Sequence, residues 1–267
     1  EHEVQQTLEH FLAQGYQKPM LLAPNNTNGQ RLIDYFNLQW QRYSETTTQV
    51  GFYNDNKDMP NTITSLLEVD KSKERIKSVK TLFNKEVESE TRSRGDIDAI
   101  YILGDAIETR LIKPYLDVNV STFADRIPIY ASSKSHSKQI DTTDKGDLDG
   151  LYFTELPWML DSQITQHNLR KQYNDLWPEQ ADISQRLFAM AYDAVAMLND
   201  IRQLSITPDK YFSGLSGKLS INSAGDIERS LQWAQYSNRR IKPVELKTQR
   251  PVPLFMQSAN DGITIIN

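Results

Sequence analysis

One short motif in the sequence has the spacing of a serine nucleophile and its base. Ser135 and Lys138 form an S-x-x-K, and residues 220–222 form an S-x-N further along the chain. Penicillin-interacting enzymes use these elements in this order, with the serine at the start of a buried helix. Here a polar segment without an apolar stripe follows the motif, and Gln249 stands where the third element needs a glycine. We therefore expect no serine catalysis and no catalytic residues.

The sequence also lacks the usual residues of a metal or cofactor site. Cysteine is absent, which excludes thiolate ligands and disulfides. Neither G-x-G-x-x-G, a P-loop nor H-E-x-x-H occurs. No histidine has a ligand partner at helical spacing; the four are His2, His10, His136 and His167. We expect no metal and no cofactor.

Uncharged hydrogen-bonding side chains follow several predicted strands. Open α/β sheets bind ligands at the carboxyl ends of their strands, and helix N-termini there favour anions. This pattern predicts a cleft for a small polar or anionic ligand. The alternative is that the same side chains only cap helices and close turns. The candidates are Asn25, Asn26, Thr27, Asp105, Ser132 and Ser133.

Apolar runs and amphipathic stretches alternate along the chain, which predicts a doubly wound parallel α/β sheet. A helix should end at Gly15, a second should be capped by Asn28, and Asp105 with Glu108 should form a capping box. Pro114 should kink or restart the helix that follows. The predicted strands are residues 20–23, 50–52, 98–103, 127–131 and 150–154.

The second half of the chain opens with helices and closes with a hairpin. Helices are predicted at 164–177 and 183–204, and antiparallel strands at 217–221 and 227–235, joined by a turn that contains Gly225. The charged segment 71–94 is predicted as a long, mostly solvated helix, with a partner-binding face as the alternative.

The composition narrows the possible partners. The net charge is −5, which argues against nucleic acid as a partner because such proteins show a basic face. No apolar run approaches the ~18 residues of a membrane-spanning helix. Glu1 begins inside an amphipathic pattern, so we expect any export signal or lipid anchor to have been removed.

Five segments, taken in order, carry a resemblance to a known family: RSRGDIDAIY at 92–101, IPIYASS at 127–133, DLDGLYFTELPW at 147–158, RLFAMAYDA at 186–194 and SGLSGKLS at 213–220. They resemble the LpoA family of outer-membrane lipoproteins, which activate a bifunctional penicillin-binding protein. The likeness covers nearly all of residues 1–246, and Leu-Pro-Trp at 156–158 after a strand makes it specific.

The resemblance implies a periplasmic-binding-protein-like fold of the first structural type, with one lobe complete and the other truncated at its N-terminal part. We expect residues 1–155 to be mainly the complete α/β lobe. Residues 156–246 would supply helices and closing strands of the second lobe, and 247–267 a tail or edge strand. In the family, a helical-repeat domain and a lipidated cysteine precede this domain.

The resemblance also implies a function without chemistry of its own: a periplasmic regulator that binds a bifunctional class A penicillin-binding protein and promotes peptidoglycan cross-linking. A lipid anchor absent from this chain would tether the complete protein to the inner leaflet of the outer membrane. The apolar residues Trp158, Met159 and Leu160 are candidates for partner contact; alternatively, they fill a hinge or core.

Two other functions stay open at this point. A solute receptor would close on a small polar ligand such as an amino acid, in a cleft lined by convergent polar groups. An enzyme would require a buried nucleophile–base pair in the folded chain.

Overall fold

The computed structural model describes residues 1–83, 89–120, 126–140, 144–160, 167–178, 180–207, 210–248 and 253. The helices are α1 His2–Gln14, α2 Thr27–Tyr43, α3 Met59–Leu66, α4 Val69–Phe83, α5 Ala106–Asn119, α6 His167–Leu176, α7 Asp182–Ala196 and α8 Ile201–Ile206. The strands are β1 Pro19–Pro24, β2 Gln49–Tyr53, β3 Ala99–Ile102, β4 Ile129–Ala131, β5 Tyr152–Glu155, β6 Phe212–Ser213, β7 Lys218–Ile221, β8 Ile227–Ser230, β9 Gln232–Ser237 and β10 Arg240–Pro243.

The larger sheet is mixed rather than purely parallel. Strands β2, β1, β3, β4 and β5 lie side by side in that order and run parallel. Strand β9 then pairs antiparallel with β5, and β10 pairs antiparallel with β9. The predicted α/β class is therefore confirmed, with two antiparallel strands added at one edge.

The apolar run of β1 shows why helices cover both faces of this sheet. Successive side chains of a strand point to opposite faces. Met20 and Leu22 join the core cluster that contains residues of α3, α4 and α5. Leu21 and Ala23 join the opposite cluster, with residues of α1 and α2. A strand buried on both faces in this way needs a continuous apolar sequence.

The helix boundaries follow local signals, with one exception. Gly15 ends α1 with φ 78°, and Asp105 and Glu108 form the predicted capping box of α5. Pro114 lies inside α5 without ending it. The prediction for α2 was wrong: Asn26, not Asn28, is the cap, because its extended backbone lets its side-chain oxygen accept from the Gly29 N–H at 2.8 Å.

Two predicted long helices are shorter in the structure. In the charged segment, α4 ends at Phe83, and residues 89–94 are not helical. The predicted helix 183–204 is interrupted by a 3-10 turn, Met197–Asn199, which separates α7 from α8. The predicted helix 164–177 starts outside the described residues. Within them, α6 begins at His167.

A small antiparallel sheet, β6-β7-β8, accompanies α6, α7 and α8. Its β7–β8 turn is as predicted: Asn222 accepts from two backbone N–H groups, and Gly225 has φ 90°. The predicted second strand, however, is split. The backbone N–H and C=O of Leu231 both bond to the Gln6 side chain of α1, and the chain then enters the larger sheet as β9.

The closing strands therefore differ in position from the prediction. We expected them to complete a second lobe within residues 156–246; β9 and β10 join the larger sheet next to β5. The tail predicted at 247–267 lies outside the described residues beyond 248, except for residue 253. In the part of the chain that the structure describes, no helix is both long and apolar enough to cross a membrane.

Candidate functional site

The loops after β1, β3 and β4 lie at one edge of the larger sheet, because these strands are parallel. Several of the candidate side chains there hold local structure. Asn26 caps α2, and Asp105 caps α5. Asn25 donates to Asn54 Oδ1 at 2.8 Å, and Thr27 is exposed in the first turn of α2.

Ser132 and Ser133 follow β4, whose neighbour in the sheet is β5. Ser132 is buried, and its hydroxyl has no hydrogen-bond partner in the described structure. The Ser133 N–H donates to Glu3 Oε1, and its Oγ donates to Glu3 Oε2 at 3.2 Å. A side chain of α1 therefore already occupies the hydrogen-bonding groups of Ser133, one of the six residues that we predicted for a ligand.

Glu3 reaches this edge from the first turn of α1 and is held there by neutral donors. Besides Ser133, the Thr154 Oγ1 of β5 donates to Glu3 Oε1 at 2.5 Å. Burial raises the pKa of Glu3 above its usual value, against the hydrogen bonds from Thr154 and Ser133, which lower it. The carboxyl group thus joins α1 to the ends of two adjacent strands.

A buried carboxylate, Glu155 at the end of β5, is held by α7. Arg186 donates from Nη2 to Glu155 Oε2 at 2.5 Å and from Nε to Oε1 at 3.2 Å. The same Nη2 donates to the carbonyls of Ser133 and His136, and His136 Nδ1 lies 2.8 Å from Glu155 Oε2. Burial lowers the pKa of Arg186, but the hydrogen bonds and charge of Glu155 outweigh burial and raise it.

Sequence reasoning missed Glu3, Glu155 and Arg186. A charged residue directly after a buried apolar strand is a signal that could have indicated Glu155. Glu3 carries no comparable signal, because acidic residues are common in the first turn of a helix. It also lies 130 positions from Ser133 in the chain, so only the fold brings the two together.

The S-x-x-K motif has no catalytic geometry. Ser135 lies in a 3-10 turn of three residues, and its buried hydroxyl donates to the Ser132 carbonyl at 2.7 Å. Lys138 lies beyond that turn and not on a helix shared with Ser135. Among the residues that the structure describes, no group of three or more His, Cys, Asp or Glu side chains could hold a metal ion.

The apolar cluster considered for partner contact belongs to the core. Trp158 and Met159 are 1% and 2% exposed and pack with Tyr173 of α6 and Ala189 of α7. Leu160 is partly buried against the larger core cluster. Burial to this extent leaves Trp158 and Met159 no surface for a partner and agrees with the alternative core role. Partner contact through the partly buried Leu160 stays a prediction.

A comparison with models of protein families identifies the family of this chain. The model described as "LppC putative lipoprotein" matches residues 1–239. The chain belongs to the LppC family. Its relatives confirm the resemblance to LpoA that the sequence segments indicated.

Curated relatives of the LppC chain include "Penicillin-binding protein activator LpoA" of Vibrio antiquarius, 30% identical over 235 residues, which cover 88% of this chain and 38% of the relative. The protein of the same name from Vibrio cholerae is 30% identical over 90% of this chain and 39% of its own length. The LppC chain therefore spans about two fifths of the length of these relatives.

Solved structures agree with the fold. Full-length LpoA from Haemophilus influenzae superposes with a TM-score of 0.66 at 25% identity, covering 91% of this chain and 39% of that one. The leucine-binding protein LivK of Thermotoga maritima superposes with a TM-score of 0.54 at 16% identity, covering 92% and 65%. The LppC chain is thus an α/β protein that resembles type I periplasmic binding proteins.

Proposed function

We propose that the protein containing this chain is a non-enzymatic regulator that binds and activates a bifunctional class A penicillin-binding protein, and so promotes peptidoglycan cross-linking. The observation that carries this proposal is the 30% identity to a penicillin-binding protein activator over 88% of the chain. The C-domain of Haemophilus influenzae LpoA, described as a regulator of PBP1A, superposes over 91% of the chain with a TM-score of 0.65.

Membership of a lipoprotein family supports a periplasmic location, with a tether to the inner leaflet of the outer membrane. The chain contains no cysteine to carry a lipid, so the anchor of this proposal belongs to a part of the protein outside these 267 residues. The partner is then a synthase that reaches the protein from across the periplasm.

The finer form of the fold belongs to the same proposal: one lobe complete, and a second lobe of which residues 156–231 supply only a part. The apolar side of α7 supports it. Three apolar side chains of α7 and one of the turn after it lie at helical spacing and are 58–69% exposed. Ala189 and Asp193, on the opposite side of α7, are buried. The four are Ile183, Leu187, Val195 and Leu198.

Reconstitution tests the regulatory function. A class A synthase would be incubated with its lipid-linked substrate, with and without the full-length lipoprotein, and the fraction of cross-linked peptides measured. We expect the fraction to rise with the lipoprotein and to stay unchanged with a solute receptor of the same fold as control. An intact lipoprotein that neither binds the synthase nor changes cross-linking would refute the proposal.

A solute receptor is the second candidate, favoured by the likeness to the leucine-binding protein LivK. It requires free hydrogen-bonding groups at the sheet edge, whereas Ser133 and Thr154 are occupied by Glu3. Calorimetry against amino acids and other small polar metabolites separates the two functions. A receptor should bind one of them with micromolar affinity or better, and a regulator should bind none.

A further inference from the structure

The contacts of Glu3 are those of a bound carboxylate rather than of an ordinary helix side chain. Oε1 accepts from the Ser133 N–H and from Thr154 Oγ1, and Oε2 accepts from Ser133 Oγ at 3.2 Å. Both oxygens of the carboxyl group are therefore held by donors at the carboxyl ends of β4 and β5. This is the edge at which open α/β sheets bind their ligands.

Docking of α1 alone does not explain an acid at this position. Val4, Leu8 and Phe11 already bury the apolar side of α1 against the sheet. A carboxyl group loses hydration when it is buried. Glu3 is partly buried, and this burial, with the like charge of Glu155 nearby, raises its pKa. An apolar residue would pack without that loss, so the donors around Glu3 point to a site adapted to a carboxylate.

A second observation at the same edge also indicates a ligand site. The Ser132 hydroxyl, one residue before Ser133, is buried and has no hydrogen-bond partner among the described residues. Buried polar groups are normally satisfied. Ser132 therefore leaves a buried hydroxyl unsatisfied next to Ser133 in the chain.

We propose that Ser133 and Thr154 form a carboxylate-binding site and that the chain fills this site with its own Glu3. Its ligands would be small organic acids that present one carboxylate. Such a ligand cannot enter while Glu3 is in place, so the wild-type chain behaves as a permanently occupied receptor. The proposal does not depend on the activator role, because it concerns only groups within these 267 residues.

The size of the Glu3 side chain allows a direct test by chemical rescue. Glu3→Ala removes a CH2–COO⁻ group, which corresponds to acetate, and Glu3→Gly removes one more methylene, which corresponds to propionate. Thermal and urea unfolding of each variant would be measured at pH 7 in acetate, propionate, acetamide and chloride at equal ionic strength. Glu9→Ala, a substitution of another α1 acid, serves as the matched control.

Acetate should raise the Tm of Glu3→Ala but not that of the wild-type chain or of Glu9→Ala. Once the site is mostly filled, the unfolding constant should fall about tenfold for each tenfold rise in acetate, as for one ligand per chain. Acetamide and chloride should have no such effect, and Glu3→Gly should prefer propionate to acetate. Adding Thr154→Val to Glu3→Ala should weaken the rescue, because one donor is lost.

Two results would overturn the proposal. One is a folded Glu3→Ala chain whose stability does not respond to acetate; the other is an equal response of the wild-type chain and Glu9→Ala, which would indicate a general salt effect. If Glu3→Ala is unfolded in chloride, the test becomes whether acetate refolds it. Acetate must then restore the helical circular dichroism signal and acetamide must not; a signal that acetate does not restore contradicts the proposal.

Discussion

Replacing Asp193 of α7 by alanine should destabilise the chain far more than an ordinary acidic-to-alanine substitution. The buried carboxylate of Asp193 accepts three hydrogen bonds from the loop that precedes β7. The donors are the Leu215 N–H at 2.8 Å, the Ser216 N–H at 2.7 Å and the Ser216 Oγ at 2.6 Å. The substitution leaves two buried backbone N–H groups without a partner, whereas the hydroxyl of Ser216 can rotate.

The expected magnitude follows from those two N–H groups. Each unsatisfied buried donor costs about 1–3 kcal/mol, so the pair gives about 2–6 kcal/mol, and we expect about 4 kcal/mol. Urea unfolding followed by tryptophan fluorescence measures it, since Trp158 packs in the same cluster as Leu215. Asp175→Ala, on the exposed side of α6, is the matched control and should change the unfolding free energy by less than about 0.5 kcal/mol.

Gly214 provides an independent check of the same geometry. A Cβ at this position would lie 2.2 Å from Asp193 Oδ2, so Gly214→Ala should be destabilising in the wild-type chain. Removing the carboxylate removes the clash. The double variant Asp193→Ala/Gly214→Ala should therefore be more stable than the sum of the two single effects by at least about 1 kcal/mol. Strict additivity, or a loss for Asp193→Ala no larger than that for Asp175→Ala, would refute the reasoning.

Three further predictions concern charges. Burial raises the folded-state pKa of Glu3 above its unfolded value of 4.5, so the wild-type chain should lose stability as the pH rises from 4.5 towards the folded-state pKa. Over that pH window, Glu3→Gln should gain unfolding free energy relative to wild type in urea unfolding. The difference between the two proteins removes the titration of all other groups, and a difference that does not change with pH contradicts the prediction. Arg186→Met should cost about 3–5 kcal/mol by leaving the Glu155 carboxylate buried without its cation; a Tm equal to that of wild type argues against the ion pair. Asp96 pairs with Arg94 and with Lys18, each at 2.6 Å, but its side chain is 45% exposed, so Asp96→Asn should cost about 1 kcal/mol or less. A larger loss in thermal unfolding would mean that these pairs are shielded from solvent.

Features set by neighbouring residues were predicted well. The turn at Gly15, the capping box of Asp105 and Glu108 and the buried strand β1 each depend on a few consecutive residues whose backbone preferences and side-chain bonds act locally. The wrong cap of α2 has a related cause. Asn26 and Asn28 are equally good caps by residue type, and only the backbone angles at Asn26 favour it.

Features that depend on distant segments were not predicted. The change of sheet between β8 and β9 is accompanied by two hydrogen bonds between Leu231 and Gln6, one donated and one accepted by the Gln6 side chain, which lies 225 positions away in the chain. The same holds for the candidate site: Ser133 was identified as a hydrogen-bonding residue after a strand, but its partner Glu3 was not.

The sequence alone determined the family, the alternation of strands and helices, and the edge of the sheet at which polar loops gather. Periodicity and local capping depend only on residues close together in the chain. Only the tertiary structure decided that this edge is filled by the chain itself, and that Trp158 and Met159 lie in the core rather than on a partner surface. The physical reason is that burial and hydrogen-bond partnership are properties of groups brought together by folding. No pattern in the first turn of α1 distinguishes Glu3, as a hydrogen-bond partner of Ser133, from an ordinary acid near a helix N-terminus.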